Sequence, residues 1–305
     1  MARSRFLPDR GLTVRMVATM ALLGVVYVAF VIGLVLAGLS VWLVLLIVAG
    51  FALVQYFASD KLALYSMGAR EVTPHEAPQL HAIVDRLCAM ADMPKPKVAI
   101  ARTDVPNAFA TGRDEKRAVV CATTGILRRL EPVELEAVLA HELSHVAHRD
   151  VMVMTIAGFL GVVAGFLTQA GLRFAAFGAA GRGNRDNNPA LVALLVVAVS
   201  AVVWVVSFLL TRALSRYREL SADRAAAFLT GRPSALGSAL TKISGDMARV
   251  PTRDLRQAEP FNAFFFTPAF AHGQGGLAAL FSTHPPIERR LTQLAEISRG
   301  LGSGA

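Results

Sequence analysis

Hydrophobic and polar positions along this chain follow two different rhythms. From Met16 to Ser59 no Asp, Glu, Lys or Arg interrupts the apolar run, and Val151 to Leu172 and Ala190 to Leu210 are likewise uncharged. A bilayer crossing takes about 20 apolar residues, so the first run is long enough for two helices and each later run for one. The stretch AGLS, Ala37 to Ser40, divides the first run into a predicted helical hairpin. A cleaved signal peptide would have a shorter apolar region and a small-residue cleavage site followed by polar chain, so an anchor is expected. The two later runs are expected to span. Helices buried in or near the interface are the alternative, because Thr155, Gln169 and several glycines interrupt them.

Elsewhere the period shortens. PHEAPQLHAIVDRLCAMADM sets Leu80, Ile83, Val84 and Leu87 at helical spacing. KVAIA and AVVCA read as short strands, and NAFATGRDEK between them as a strand followed by a turn. EPVELEAVLAHELSHVAHRD opens with acids and Pro132 and continues as a strong helix. Beyond the last apolar run, RALSRYRELSADRAAAFL and PPIERRLTQLAEI read as helices, separated by the irregular, Phe-rich EPFNAFFFTPAFAHGQGG.

Composition fits this picture. The 305 residues are 54% hydrophobic and only 17% charged, against about 25% charged in ordinary soluble domains. The net charge of +9 comes from arginines that flank the apolar runs, and no aromatic-basic repeat accompanies them. An anionic lipid surface is therefore the expected partner, and nucleic acid is not. Arg3, Arg5, Arg10 and Arg15 at one end, and Arg212, Arg216, Arg218 and Arg224 after the last run, place both ends on the cytoplasmic side by the positive-inside rule. The opposing loop carries Arg173, Arg182 and Arg185. Cys88 and Cys121 lack CxxC spacing and read as reduced core residues.

The expected organisation is a transmembrane hairpin at 1–59 and a second helical pair at 151–210. The segments 60–150 and 211–305 then combine into one cytoplasmic domain. The expected fold class is an α-helical integral membrane protein with a mainly α cytoplasmic domain carrying a small β-sheet.

A metalloprotease reading of that domain comes from HELSH. His141 and His145 stand four apart on a predicted helix, so both imidazoles project from one face at a separation suited to one tetrahedral Zn2+. Glu142 beside them faces the water on such an ion, as a general base. A third protein ligand is needed. His148 lies almost a turn further along and is read as an outer or membrane-boundary residue, while Asp150 is expected to point well off the face. RELSAD supplies Glu219 as a carboxylate ligand and Asp223, one turn on, as an acceptor for the far nitrogen of a ligand histidine.

Together AHELSHVAHRD, SRYRELSAD, NAFATG and STHPPIERRL, with paired apolar runs before and between, resemble the HtpX-type membrane zinc metalloproteases, gluzincins related to the CAAX prenyl-protein proteases. The resemblance extends from the hairpin to Leu294. It implies His141, His145 and Glu219 as zinc ligands, Glu142 as base, and an endopeptidase of the bacterial inner membrane. Its substrates would be damaged or misfolded membrane proteins and unfolded polypeptides, in a stress response. Leu220, where relatives often have an aromatic residue, and the Phe261–Phe270 segment depart from the pattern. CAAX-type processing and a catalytically idle scaffold are the alternatives. The resemblance also makes NAFATG a substrate-binding edge, with Asn107, Ala108, Phe109 and Ala110 holding the peptide main chain, or an ordinary hairpin strand. In THPP, His284 is the expected oxyanion donor, with Arg290 the second choice, and helix capping is the other reading for His284.

Overall fold

The computed structural model describes residues 10–36, 68–112, 114–178, 189–247 and 282–302, with scattered positions from 40 to 53. The elements in chain order are α1 (Arg10–Leu36), β1 (Ala69–Glu71), α2 (Pro78–Ala91), β2 (Lys97–Ala101), β3 (Ala108–Thr111), β4 (Val119–Thr123), α3 (Thr124–Arg129), α4 (Pro132–Ala147), α5 (Asp150–Gly178), α6 (Pro189–Thr230), α7 (Pro233–Met247) and α8 (Ile287–Gly302). They divide into two compact units. One is drawn from Met1–Val14, Ser59–Met152 and Ser215–Ala305, the other from Arg15–Ala58 and Val153–Leu214.

The first unit is built on a mixed four-stranded sheet of order β1-β2-β4-β3. β2 and β4 run parallel, Lys97 opposite Val119, while β1 on β2 and β3 on β4 are antiparallel. Alternation sorts the side chains. Val98, Ala108, Val120 and Ala122 join the main core, whereas Ala99, Ala101, Phe109, Val119 and Cys121 pack on the opposite face. β3 is an edge strand, and it ends at Gly112, whose φ of +120° and close approach to the Ala118 backbone leave no room for a Cβ. Cys88 and Cys121 are free and buried, and burial pushes their thiols up to about 11 and about 12.

α4 is the central helix of this unit. It starts in a capping box, with Glu131 and Glu134 each accepting the other's main-chain N–H and Pro132 in the first turn. Its apolar stripe of Leu135, Val138, Leu139 and Leu143 packs among Val84 and Leu87 of α2, Leu236 and Leu240 of α7, and Leu294 of α8. Each such fully buried aliphatic side chain contributes about 1.5–3 kcal/mol. Glu134 also accepts from Ser238 Oγ at 2.6 Å and Lys242 Nζ at 2.8 Å, which ties the start of α4 to α7. The helix ends at His148, and Arg149 turns into the left-handed region at φ 55° before α5 begins at Asp150.

The second unit is helical. Phe30 and Leu34 of α1 pack on Val163 and Ala164 of α5 and on Val196 and Val203 of α6. Small residues let these helices approach: a Cβ on Gly33 would stand 3.1 Å from Val199, and one on Gly165 3.2 Å from Trp204. The outer faces stay apolar, with Val25, Val28 and Val202 more than three-fifths exposed. Helices apolar all round, with such faces unburied, suit a lipid surround. Three stretches among the described residues are long and apolar enough to cross a membrane: Arg10–Leu36, Asp150–Arg173 and Ala193–Thr230. The expected second helix of the N-terminal hairpin and the Phe261–Phe270 segment lie outside the described residues, apart from scattered positions. The expected class, a helical membrane chain with a small sheet in a mainly α unit beside the apolar helices' own unit, is the class observed.

Candidate active site

Two imidazoles and a carboxylate converge inside the first unit. His141 and His145, one turn apart on α4, bring their Nε2 atoms to 3.2 Å. Glu219 of α6 sets Oε2 3.6 Å from His141 Nε2 and Oε1 3.5 Å from His145 Nε2. Donor atoms about 2.0–2.2 Å from one tetrahedral ion stand about 3.3–3.6 Å apart, so this triangle has the size a metal ion requires.

The far nitrogens decide what the triangle can hold. Asp150 Oδ2 lies 2.6 Å from His145 Nδ1, and Asp223 Oδ1 lies 2.9 Å from His141 Nδ1. A carboxylate beside Nδ1 accepts from Nδ1–H and leaves Nε2 as a lone pair. Two lone pairs and a carboxylate then face one another in a buried place, which calls for a cation between them. Burial works against positive charge on His141, but Asp223 and Glu219 outweigh it and hold its pKa above the ordinary imidazole value. A metal ion satisfies the same demand that a proton would.

Glu142, buried on the same helix, accepts the Ala110 main-chain N–H at Oε2, at 2.9 Å. Burial lifts its pKa above the ordinary carboxylate range, with His141 and His145 pulling the other way. A more basic carboxylate is better suited to taking a proton from water.

His284 enters from the chain just before α8. Its Nδ1 is 3.0 Å from Glu219 Oε2, and its buried Nε2 has no hydrogen-bond partner. The segment is pinned to α6, where Ser215 Oγ donates to the Thr283 carbonyl at 2.8 Å and Arg216 to the Ser282 carbonyl at 3.0 Å.

Several expected residues sit differently from the sequence reading. Arg290 is buried and grips Asp223 with two donors, Nε at 2.7 Å and Nη2 at 2.6 Å, while its Nη1 lies 3.6 Å from Glu219 Oε2. Asn107 accepts the Thr123 N–H at its carbonyl and donates its own N–H to Thr123 Oγ1, and it is fully buried. Ala108 and Phe109 are buried too, which leaves Ala110 as the partly accessible member of the four expected substrate contacts. Asp150 departs furthest, since it bonds the His145 ring and pairs with Arg218, a residue the sequence reading used only as a flanking charge. Helical spacing alone points Asp150 off that face, and the left-handed turn at Arg149 interrupts the helix before it. His148 is exposed at the end of α4.

With that geometry in place, the relatives are informative. The model of Peptidase family M48 matches residues 74–298, a span that takes in β2 to β4, α4 and Glu219 and reaches α8. The chain belongs to peptidase family M48. Among curated proteins it is 59% identical to Protease HtpX homolog 1 of Streptomyces coelicolor over 98% of this chain and 97% of that one. It is 54% identical to Protease HtpX homolog of Moorella thermoacetica, covering 95% and 96%, and 52% identical to Protease HtpX homolog 2 of Methanosarcina mazei, covering 95% and 97%. The crystal structure of S. mikatae Ste24p shares the fold, with a TM-score of 0.53 at 17% identity over 94% of this chain and 67% of that one. This M48 metalloprotease is a membrane protein of the HtpX type, with three apolar helices of spanning length among the described residues and a His-His-Glu group able to hold a metal.

Proposed function

We propose that the chain is a zinc-dependent endopeptidase that cleaves damaged or misfolded membrane proteins and unfolded polypeptides. Its expected setting is the bacterial inner membrane, with the active site on the cytoplasmic side. The observation that carries the reading is the triangle of His141, His145 and Glu219, whose two histidines are each held by an aspartate at Nδ1. Two nitrogens and one oxygen form a donor set that suits zinc and leaves a fourth position open.

His141, His145 and Glu219 would hold the ion. Zinc there supplies Lewis acidity and lowers the pKa of a water. Glu142 takes the proton of the attacking water and returns it to the leaving amine nitrogen. The Ala110 N–H fixes one Glu142 oxygen and leaves the other for that transfer. In its doubly protonated form, His284 donates Nδ1–H to Glu219 and keeps Nε2–H for the oxyanion that develops on the scissile carbonyl. Along β3, Asn107 pairs with Thr123, so by antiparallel alternation the main-chain groups of Ala110 turn away from β4. Its carbonyl is then placed to accept an N–H of an extended substrate.

The HtpX names of relatives at 52–59% identity support the HtpX-type reading over CAAX processing, and the quality-control role is what that resemblance implies. Protein purified in detergent and loaded with zinc is expected to cleave an unfolded model polypeptide and to leave a prenylated CAAX peptide intact. The reverse preference would replace this reading with the processing one.

A further inference from the structure

Asp150 is the first residue of α5, buried, and it faces two ways. Oδ2 lies 2.6 Å from His145 Nδ1, and Oδ1 forms an ion pair with Arg218, which is itself only 4% exposed. The other histidine has the same arrangement: Asp223 stands beside His141 Nδ1 and is clamped by Arg290. Each imidazole of the triangle is thus backed by a carboxylate, and each carboxylate by a buried guanidinium. The local backbone serves this end. The left-handed turn at Arg149 carries Asp150 back towards the ring that a continuous helix would have left behind, and Arg218 immediately precedes Glu219 on α6.

We propose that Asp150, held by Arg218, is a positioning residue for His145: it fixes the ring's tautomer and orientation so that Nε2 is presented to the metal. This rests on the zinc reading above. Burying an aspartate and an arginine is costly unless both are satisfied. Here the carboxylate meets a ring N–H on one side and a guanidinium on the other. Because Arg218 and Glu219 are neighbours on one helix, the same stretch of α6 sets both a ligand and the support of another ligand.

The test is zinc affinity by competition with a chelator, measured on full-length protein in detergent. Wild type, Asp150→Asn, Asp150→Ala and the neutral pair Asp150→Asn with Arg218→Gln are compared, with His148→Ala at the exposed end of α4 as control. Asp150→Asn keeps an acceptor for Nδ1–H but loses the charge, so zinc should bind about 10–100-fold more weakly than in wild type, with Asp150→Ala weaker still. His148→Ala should match wild type. Visible absorption of the cobalt(II)-loaded proteins gives a second readout, and the Asp150 variants should show an altered ligand-field band. Thermal unfolding of the metal-free forms separates positioning from simple support. The double variant leaves no lone buried charge, so it should remain folded and still lose zinc affinity. Wild-type affinity and an unchanged cobalt spectrum in that folded double variant would overturn the proposal. So would an affinity loss fully explained by the unfolded fraction of the metal-free protein. If wild type itself bound no zinc, the metalloprotease site as a whole would fail, a different result from wild-type binding that ignores Asp150.

Discussion

The main-chain N–H of Ala110 donates to Glu142 Oε2 at 2.9 Å, so the edge strand and the proposed general base are joined directly. The strand therefore does more than lie beside α4: it sets how the carboxylate is turned. Ala110→Pro deletes that N–H, and because the N–H points away from β4 no ladder bond is lost with it. The variant should keep its metal and lose about 10-fold or more in kcat, measured on an unfolded polypeptide. An unchanged kcat in a folded, metal-loaded variant would show that this hydrogen bond has no part in orienting Glu142.

His284 has its Nδ1 engaged by Glu219 and its Nε2 buried without a partner. If Nε2–H meets the oxyanion, His284→Ala should lower kcat by about 100-fold while KM changes little and zinc stays bound. A variant that loses zinc instead would make His284 a support for Glu219, and an unaltered kcat would remove the oxyanion role.

The anchoring of α4 makes a prediction about pH. Burial opposes charge on Glu134, but Lys242, Ser238 and the Glu131 N–H outweigh it and hold its pKa below the ordinary value of 4.5. A carboxylate whose pKa is lowered by folding contributes stability that is complete above the unfolded value and lost as the pH falls through the folded one. Glu134→Gln should therefore cost about 1–2 kcal/mol at neutral pH. The deficit should shrink once the pH drops below about 4.5. Unfolding curves at pH 7 and pH 4 in the same detergent check this, and an equal deficit at both would contradict the account.

Topology can be read with thiol chemistry, since Cys88 and Cys121 are buried and give little background. Arg173→Cys, at the far end of the Asp150–Arg173 stretch, should react with an impermeant reagent on intact spheroplasts. Asp85→Cys, on the exposed face of α2, should react only after lysis. Labelling in the opposite sense would invert the proposed orientation.

Some of this was readable from the chain because the signals are local. HELSH sets two imidazoles on one helical face, RELSAD sets a carboxylate and its neighbour one turn apart, and the short apolar runs KVAIA and AVVCA contain β2 and most of β4. What escaped the reading depends on tertiary partners. β1 is three residues long, too short to show an alternation. The apolar stripe of α7, Leu236, Leu240 and Ile243, is broken up by Gly237, Ser238 and Gly245, which hides a helix that packs on α4 and α8. Arg290 is visibly a cation from sequence, but its bond to Asp223 spans 67 positions. Asp150 was misplaced because one left-handed residue, Arg149, reverses the direction that helical spacing assigns. The signal that could have found it is an aspartate directly after a basic residue where the HELSH helix gives way to an apolar run.

His141, His145 and Glu219 are proposed to bind zinc while Glu142 moves the proton. The most direct test is hydrolysis of an unfolded polypeptide by purified Glu142→Gln, run on the sample whose zinc content has been determined after dialysis. The account predicts about one zinc per chain, as in wild type, with hydrolysis reduced by orders of magnitude. Wild-type hydrolysis by the zinc-loaded variant, or loss of the zinc itself, would contradict it.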